Sequence, residues 1–140
     1  MTGLWVAVAV LLAATAFGLV KQRRDGVLRA RRGGDRVDER IEAADIGADL
    51  GSKATLVQFS SAFCAPCRAT RRVLGEVAGM VDGVAHVELD AEAHLDLVRR
   101  LNVLRTPTVL VLDDTGRIVR RAAGLPRKAD VIAALGKVIS

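Results

Sequence analysis

The chain has 140 residues, enough for one domain and a short appendage. About half of the residues (51%) are apolar but only 3% are aromatic, so we expect a core of Val, Leu, Ile and Ala side chains. The net charge of +5 is concentrated in residues 21–40, which hold eight Lys and Arg residues against four acidic ones. Because no aromatic residues alternate with these cations and no groove-reading motif is present, the composition argues against nucleic-acid binding.

The N-terminal residues 3–20 contain no charged side chain. As a helix that rises about 1.5 Å per residue, they extend about 27 Å, close to the thickness of the hydrocarbon core of a bilayer. We therefore predict a single transmembrane anchor at 3–20. Two alternatives remain open. Small residues at 14–16 resemble the cleavage site of a signal peptide, although no basic region precedes them, and a buried helix of a globular domain is the other alternative.

The charges that flank this segment predict its orientation. Six Lys and Arg residues lie in the twelve positions after Val20, and none precedes the segment. The positive-inside rule then places the C-terminal side, and with it the rest of the chain, in the cytoplasm. Residues 21–35, which combine arginines with Gly26 and a Gly33-Gly34 pair, are predicted to be a basic juxtamembrane linker. Its arginines either contact lipid headgroups or form a solvated tether.

Residues 36–140 show the hydrophobic patterns of alternating strands and helices. Strands are predicted at 54–60, 84–90, 108–113 and 117–123, and helices at 64–80, 91–102 and 129–139. The helix at 91–102 is expected to bury Leu95, Val98 and Leu101, while residues 36–50 leave room for a further strand and helix. This order predicts an α/β domain, a mixed sheet covered by helices on both faces.

The only two cysteines, Cys64 and Cys67, enclose Ala65 and Pro66 at the junction of a predicted strand and helix. The unpaired N–H groups and the positive dipole end of a helix favour the thiolate form of a cysteine placed there. The thiolate is the species that attacks a disulfide. Pro66 suits the first helical turn, and Cys67 lies one turn further along, near enough to close a ring with Cys64. We predict that Cys64 attacks and that Cys67 resolves.

The motif FCAPC after the strand TLVQFS, followed about forty residues later by RTPT at 105–108, resembles the thioredoxin family, whose usual motif is WCGPC. The resemblance covers roughly residues 35–140. It implies a thioredoxin-like fold and a protein-disulfide oxidoreductase whose redox-active disulfide needs no further cofactor. It also implies a cis Pro107, with Thr106, Ala65 and Pro66 contacting the substrate. Disulfide-containing proteins are the implied substrates, and a cytoplasmic domain would receive electrons from a donor of the thioredoxin-reductase type.

Two positions depart from the family pattern beneath the cysteines. Gln58 stands where the family buries an aspartate that accepts the proton of the resolving thiol, and His86 stands where the family has a lysine. A carboxamide forms hydrogen bonds but takes no proton at neutral pH. Our hypothesis is a neutral Gln58–His86 pair, with His86 or water carrying the proton. The alternative is a His86 that packs on its strand without a catalytic role.

Three arginines follow the cysteine pair, at positions 68, 71 and 72. They are expected to lie on the exposed face of the helix that begins at Cys64, opposite its apolar stripe. Two interpretations apply to them. They either attract acidic substrates or form a solvated helix face without a partner.

Other functions remain for the same residues. Cys64, Cys67, His86 and His94 are four nominal zinc ligands, but the seven residues between the histidines are more than structural zinc sites use, and we expect no metal. A redox-inactive thioredoxin-like module would keep the cysteine pair as a structural disulfide. An outward-facing domain would resemble anchored relatives that serve disulfide traffic or cytochrome maturation.

Overall fold

The computed structural model describes residues 1–25, 29–30 and 39–140. Most of the predicted linker 21–35, including its Gly26, Gly33 and Gly34, lies outside these residues. The elements in chain order are α1 Thr2–Asp25, β1 Arg29–Ala30, α2 Ala43–Ile46, β2 Ala54–Ser60, α3 Ala65–Met80, β3 Val84–Asp90, α4 Leu95–Arg100, β4 Thr108–Asp113, β5 Ile118–Ala123 and α5 Lys128–Ile139.

The strands form one mixed sheet in the order β1-β5-β4-β2-β3. β2 runs parallel to β3 and antiparallel to β4, and β5 is antiparallel to β4. The two-residue strand β1, which falls within the predicted linker, pairs antiparallel with β5. Every residue of β2 is buried because the strand has a neighbour on each side and helices over both faces. The predicted mixed sheet with flanking helices is confirmed.

Each face of the sheet has its own aliphatic core. Helices α3 and α5 cover one face, where the buried side chains include Leu56, Leu74, Val77, Val111, Val131 and Leu135. Helices α2 and α4 cover the other face, where they include Ile46, Val57, Phe59, Leu97 and Leu101. Neighbouring residues of a strand point to opposite faces, so Leu56 and Val57 belong to different cores. By the same alternation, Gln58 lies on the face that α3 covers. Each buried aliphatic side chain contributes about 1.5–3 kcal/mol.

The helix predicted at 91–102 is shorter in the structure, where α4 covers Leu95–Arg100. Asp90 explains the late start, because its carboxylate accepts the N–H of Glu92 and its carbonyl accepts the N–H of Ala93. This local turn competes with helix formation. The predicted apolar stripe is therefore wrong at Leu95, which is 52% exposed, whereas Leu97 is buried in its place.

Residues 39–50, where a further strand and helix had room, form less regular structure. They hold the four-residue helix α2 and an isolated bridge from Arg40 to Arg117. Residues 39–50 contain no strand apart from this single bridge residue. A weak apolar pattern accounts for the short elements. The first strand residue after the hairpin is Ile118, one position later than predicted.

The N-terminal helix α1 covers the predicted anchor and continues past Val20 to Asp25. Its 24 residues extend about 36 Å at the helical rise. None of its described side chains is buried, which argues against a core helix of a globular domain. This one helix is long and apolar enough to cross a membrane.

Candidate active site

Cys64 occupies the N-cap position of α3 and is joined to Cys67 by a disulfide. The backbone N–H of Cys67 donates a hydrogen bond to the sulfur of Cys64 at 3.2 Å, so this sulfur accepts one of the N–H groups that a helix start leaves without a backbone partner. Cys67 is buried and only 2% exposed, whereas Cys64 is half-buried and Ala65 and Pro66 are exposed. Of the two sulfur-bearing residues, solvent therefore reaches Cys64 more easily.

The loop before β4 lies beside the cysteine pair. The Thr106–Pro107 peptide bond is cis, and the carbonyl of the buried Pro107 accepts the N–H of Gly124 at 2.8 Å. The hydroxyl oxygens of Ser61 and Thr106 are 3.0 Å apart, which joins this loop to the one that carries Cys64. Thr106 and Pro107 line one groove together with Pro66. The structure thus brings the predicted substrate-binding residues Thr106, Pro107 and Pro66 to one surface, and Ala65 is exposed next to them.

Gln58 lies beneath the first turn of α3 and is completely buried. Its side-chain nitrogen donates to the hydroxyl of Ser60 and to the backbone carbonyl of Cys67, both at 2.9 Å. Its side-chain oxygen lies 3.1 Å from Nε2 of His86. Because an amide oxygen only accepts, this contact assigns the Nε2–H tautomer to a neutral His86.

His86, on β3, is half-buried beside the ion pair of Arg71 and Glu88. Burial is the largest cause that lowers the pKa of His86; the Glu88 carboxylate raises it and the Arg71 guanidinium lowers it. The net effect is a pKa below the ordinary histidine value, so the ring is neutral near neutral pH. Within the described residues neither Gln58 nor His86 donates to a sulfur atom. The proton-relay role therefore remains a hypothesis that requires a water molecule or a movement.

Sequence reasoning missed Ser61, whose hydroxyl joins the two loops of the site. Ser61 and Thr106 are 45 positions apart in the chain, and serine is common in loops, so no sequence signal identified the pair. The sequence pointed to Gln58 as well. It did not indicate that the side-chain amide of Gln58 donates to the backbone carbonyl of Cys67 instead of to a sulfur atom.

The arginines after the cysteine pair have different roles in the structure. The side chain of Arg71 makes two hydrogen bonds of 2.7 Å to the carboxylate of Glu88, so it is already committed to a bidentate ion pair. Arg68 and Arg72 are exposed. For Arg71 the structure supports an intramolecular role.

The four nominal zinc ligands make other bonds. Cys64 and Cys67 bond to each other, His86 contacts Gln58, and Nδ1 of His94 lies 2.9 Å from the carbonyl of Asp90. Across the described parts of the chain, no three His, Cys, Asp or Glu side chains gather in a group that would hold a metal ion.

A protein-family model described as Thioredoxin matches residues 42–137, which is more than half of the chain. The chain belongs to the thioredoxin family. Its curated relatives include the thioredoxin of Staphylococcus epidermidis, 29% identical over 99 residues that cover 70% of this chain and 94% of the relative. The thioredoxin of Staphylococcus haemolyticus is 28% identical over the same shares of the two chains.

Solved thioredoxin structures share the fold. A mutant thioredoxin from Halobacterium salinarum superimposes with a TM-score of 0.60 at 19% identity and covers 74% of this chain and 88% of its own. Chloroplastic thioredoxin z superimposes with a TM-score of 0.57 at 21% identity, over 74% and 97% of the two chains. Thioredoxin-family membership together with the Cys64–Cys67 disulfide identifies the protein as a thiol–disulfide oxidoreductase.

Proposed function

We propose that this thioredoxin-family protein is a membrane-anchored reductase of protein disulfides, with Cys64 as the attacking thiol and Cys67 as the resolving thiol. The observation that carries the proposal is the unequal exposure of the two cysteines at the start of α3. Cys64 is half-buried at the N-cap position, next to the exposed Ala65 and Pro66, whereas Cys67 is 2% exposed. An incoming disulfide thus meets the sulfur of Cys64 first.

The catalytic cycle begins with both cysteines reduced. The Cys64 thiolate attacks one sulfur of the substrate disulfide, which forms a mixed disulfide and releases the other substrate sulfur as a thiolate that takes up a proton. Cys67 then loses its proton and attacks the sulfur of Cys64. This second step forms the Cys64–Cys67 disulfide and releases the second substrate thiol. Two electrons pass to the substrate, and the protein ends in the oxidised form that the structure describes.

Substrate binding is assigned to the surface formed by Thr106, Pro107, Ala65 and Pro66. Pro107 and Gly124 are held together by the hydrogen bond between their backbones, and Thr106 is held by Ser61. These contacts keep the loop in place beside the disulfide. An extended substrate segment next to the mixed disulfide would then lie along a preformed surface, which lowers the entropy cost of orienting the two sulfurs.

The redox-active disulfide serves as the only electron carrier in this proposal, without a bound cofactor. A protein that reduces disulfides must be reduced again after each turnover. With the domain on the cytoplasmic side, we assign this step to a reductase of the thioredoxin-reductase type, as for other cytoplasmic thioredoxins. With the domain on the outer side, electrons would have to come from a membrane donor.

Cysteine variants of the full-length protein in detergent test the chemistry. The parent is expected to reduce insulin disulfides with dithiothreitol as electron source. Cys64→Ser should abolish the activity, and Cys67→Ser should accumulate a mixed disulfide with the substrate that appears as a mass increase on a non-reducing gel. Exchange rates in both variants equal to that of the parent would reject the redox function and leave a binding module.

The anchor and its orientation need a separate test. On a Cys64→Ser, Cys67→Ser background, Ser140→Cys provides a reporter thiol at the C-terminus and Thr2→Cys one at the start of α1. In intact cells a membrane-impermeant maleimide should label the Thr2 reporter only, and after lysis both. Labelling of the Ser140 reporter without lysis would place the domain outside, and recovery of the protein in the soluble fraction would reject the anchor. The cysteine-free background is the control.

A further inference from the structure

A groove runs along the Thr106–Pro107 loop, between the domain and the end of α1. Its apolar wall includes Pro66 and Leu125. The last turns of α1 line its other side with Gly18, Leu19, Lys21, Gln22 and Arg23. The domain contributes two charged side chains, and both are cationic: Arg105 and Arg127. This domain side of the groove, which no carboxylate of the described residues lines, is called the basic groove.

The opposite side of the site carries acidic residues. Asp90, the last residue of β3, and Glu92, in the loop that follows, are exposed, and the N–H of Ala91 donates to the carbonyl of Ser60 at 2.9 Å. That bond places the acidic loop next to the end of β2. The charged side chains nearest the cysteine pair therefore differ in sign on its two sides, with cations at the basic groove and carboxylates at the end of β3.

Arg127 is the cation of the basic groove that is best placed to meet a substrate. It is exposed at the N-cap position of α5, its side chain caps no backbone group, and it makes no ion pair with another described residue. Nearby cations differ, because Arg71 is paired with Glu88, Lys128 is paired with Glu76, and Arg105 reaches the carbonyl of Ala123.

We propose that the basic groove selects disulfide substrates that carry Asp or Glu residues close to the reactive cysteine. This inference rests on the proposed reductase function and adds its substrate class. The occupant is an extended polypeptide segment with acidic side chains toward Arg127 and an apolar side chain toward Leu125. Exposed charge pairs add little affinity but speed up encounter, so the preference lies in the rate of association and weakens with salt.

The test measures the second-order rate constant of disulfide reduction by the reduced full-length protein. The protein is held in nanodiscs of neutral lipid, and the three peptide substrates differ only in their flanks, which are acidic, neutral or basic. At about 20 mM salt we expect the acidic peptide to react about 3–10-fold faster than the neutral peptide, and the ratio to approach one at about 500 mM salt.

Two charge reversals provide a matched comparison. Arg127→Glu should remove most of the ratio between the acidic and neutral peptides. Lys137→Glu changes the net charge equally but lies in the last turn of the same helix, about 15 Å away, and should keep the ratio. Glu is favourable at a helix N-terminus, so Arg127→Glu is not expected to impair folding.

The outcomes separate the two proposals. No reduction of any peptide would overturn the reductase function itself. Reduction of the acidic and neutral peptides at equal rates, or equal loss of the ratio in both variants, would overturn only the substrate preference. A neutral-peptide rate that falls when anionic lipid is added, without a dependence on peptide charge, would assign the basic groove to lipid headgroups and reject the acidic segment.

Discussion

The side-chain amide of Gln58 donates a hydrogen bond of 2.9 Å to the backbone carbonyl of Cys67. The second amide hydrogen goes to Ser60 and the amide oxygen faces His86, so this buried amide has a partner at each polar position. The group beneath the disulfide thus positions the first turn of α3 as a neutral donor. A charged carboxylate at this place would face the carbonyl oxygen of Cys67 with no proton to give.

Gln58→Glu is accordingly expected to destabilise the oxidised protein by about 2–4 kcal/mol at about pH 8. Burial raises the pKa of a carboxyl group, so the penalty should shrink toward about pH 5, where the new acid takes up a proton and donates one hydrogen bond. Urea unfolding of the full chain in detergent at both pH values measures this change. Gln22→Glu, at an exposed position of α1, adds the same charge and is the control. A penalty that does not depend on pH would contradict this account of the Gln58 site.

The lowered pKa of His86 predicts a pH-dependent stability. Between its folded pKa and the ordinary value of about 6.5, the unfolded chain binds more protons than the folded chain, so stability rises with pH in that range. The wild type should therefore lose more unfolding free energy than His86→Gln as the pH falls below about 6.5. Chemical denaturation of both proteins over a pH series provides the comparison, and parallel curves would show that the environment does not perturb the ring.

The relay hypothesis makes a separate prediction for activity. A neutral His86 near the site can take the proton of Cys67 through a water molecule, so His86→Ala should shift the pH dependence of disulfide reduction. The measurement is the rate of mixed-disulfide resolution across the pH range, with His86→Gln as a variant that retains a hydrogen-bonding side chain. An unchanged profile in His86→Ala would leave His86 with a packing role alone.

Gly116 is required by the turn between β4 and β5. Its φ of +86° lies in the left-handed region, and a Cβ atom there would overlap the backbone carbonyl oxygen of the buried Ile41. Gly116→Ala should destabilise the protein by at least about 2 kcal/mol. Gly136, inside α5, has open space within 4 Å of the place that a Cβ atom would take, and Gly136→Ala should stabilise by about 0.5–1 kcal/mol. Thermal unfolding of the two variants should shift in opposite directions.

The amino-acid sequence alone determined those features that arise from neighbouring residues. The apolar runs predicted β2, β3 and β4 at the bounds observed, and the cysteine pair with Pro66 predicted a sulfur at the start of a helix. These features depend on side-chain alternation, helix ends and turn residues, which act within a few positions of the chain. The same reasoning identified the apolar segment 3–20, because length and absence of charge are local properties.

Only the tertiary structure decided what surrounds the disulfide. The contact between Ser61 and Thr106 joins residues 45 positions apart, and nothing in the sequence indicated it. The Gln58–His86 contact joins residues 28 positions apart, and only the family resemblance, not a local pattern, suggested that pair. Such pairs depend on the register of the sheet and on how α3 packs over it, and no local pattern encodes either. The short α4 has a local cause instead, because the turn at Asp90 competes with the helical pattern that continues through it. The sign of the charge at the basic groove likewise emerged only when residues 105 and 127 were brought to one surface.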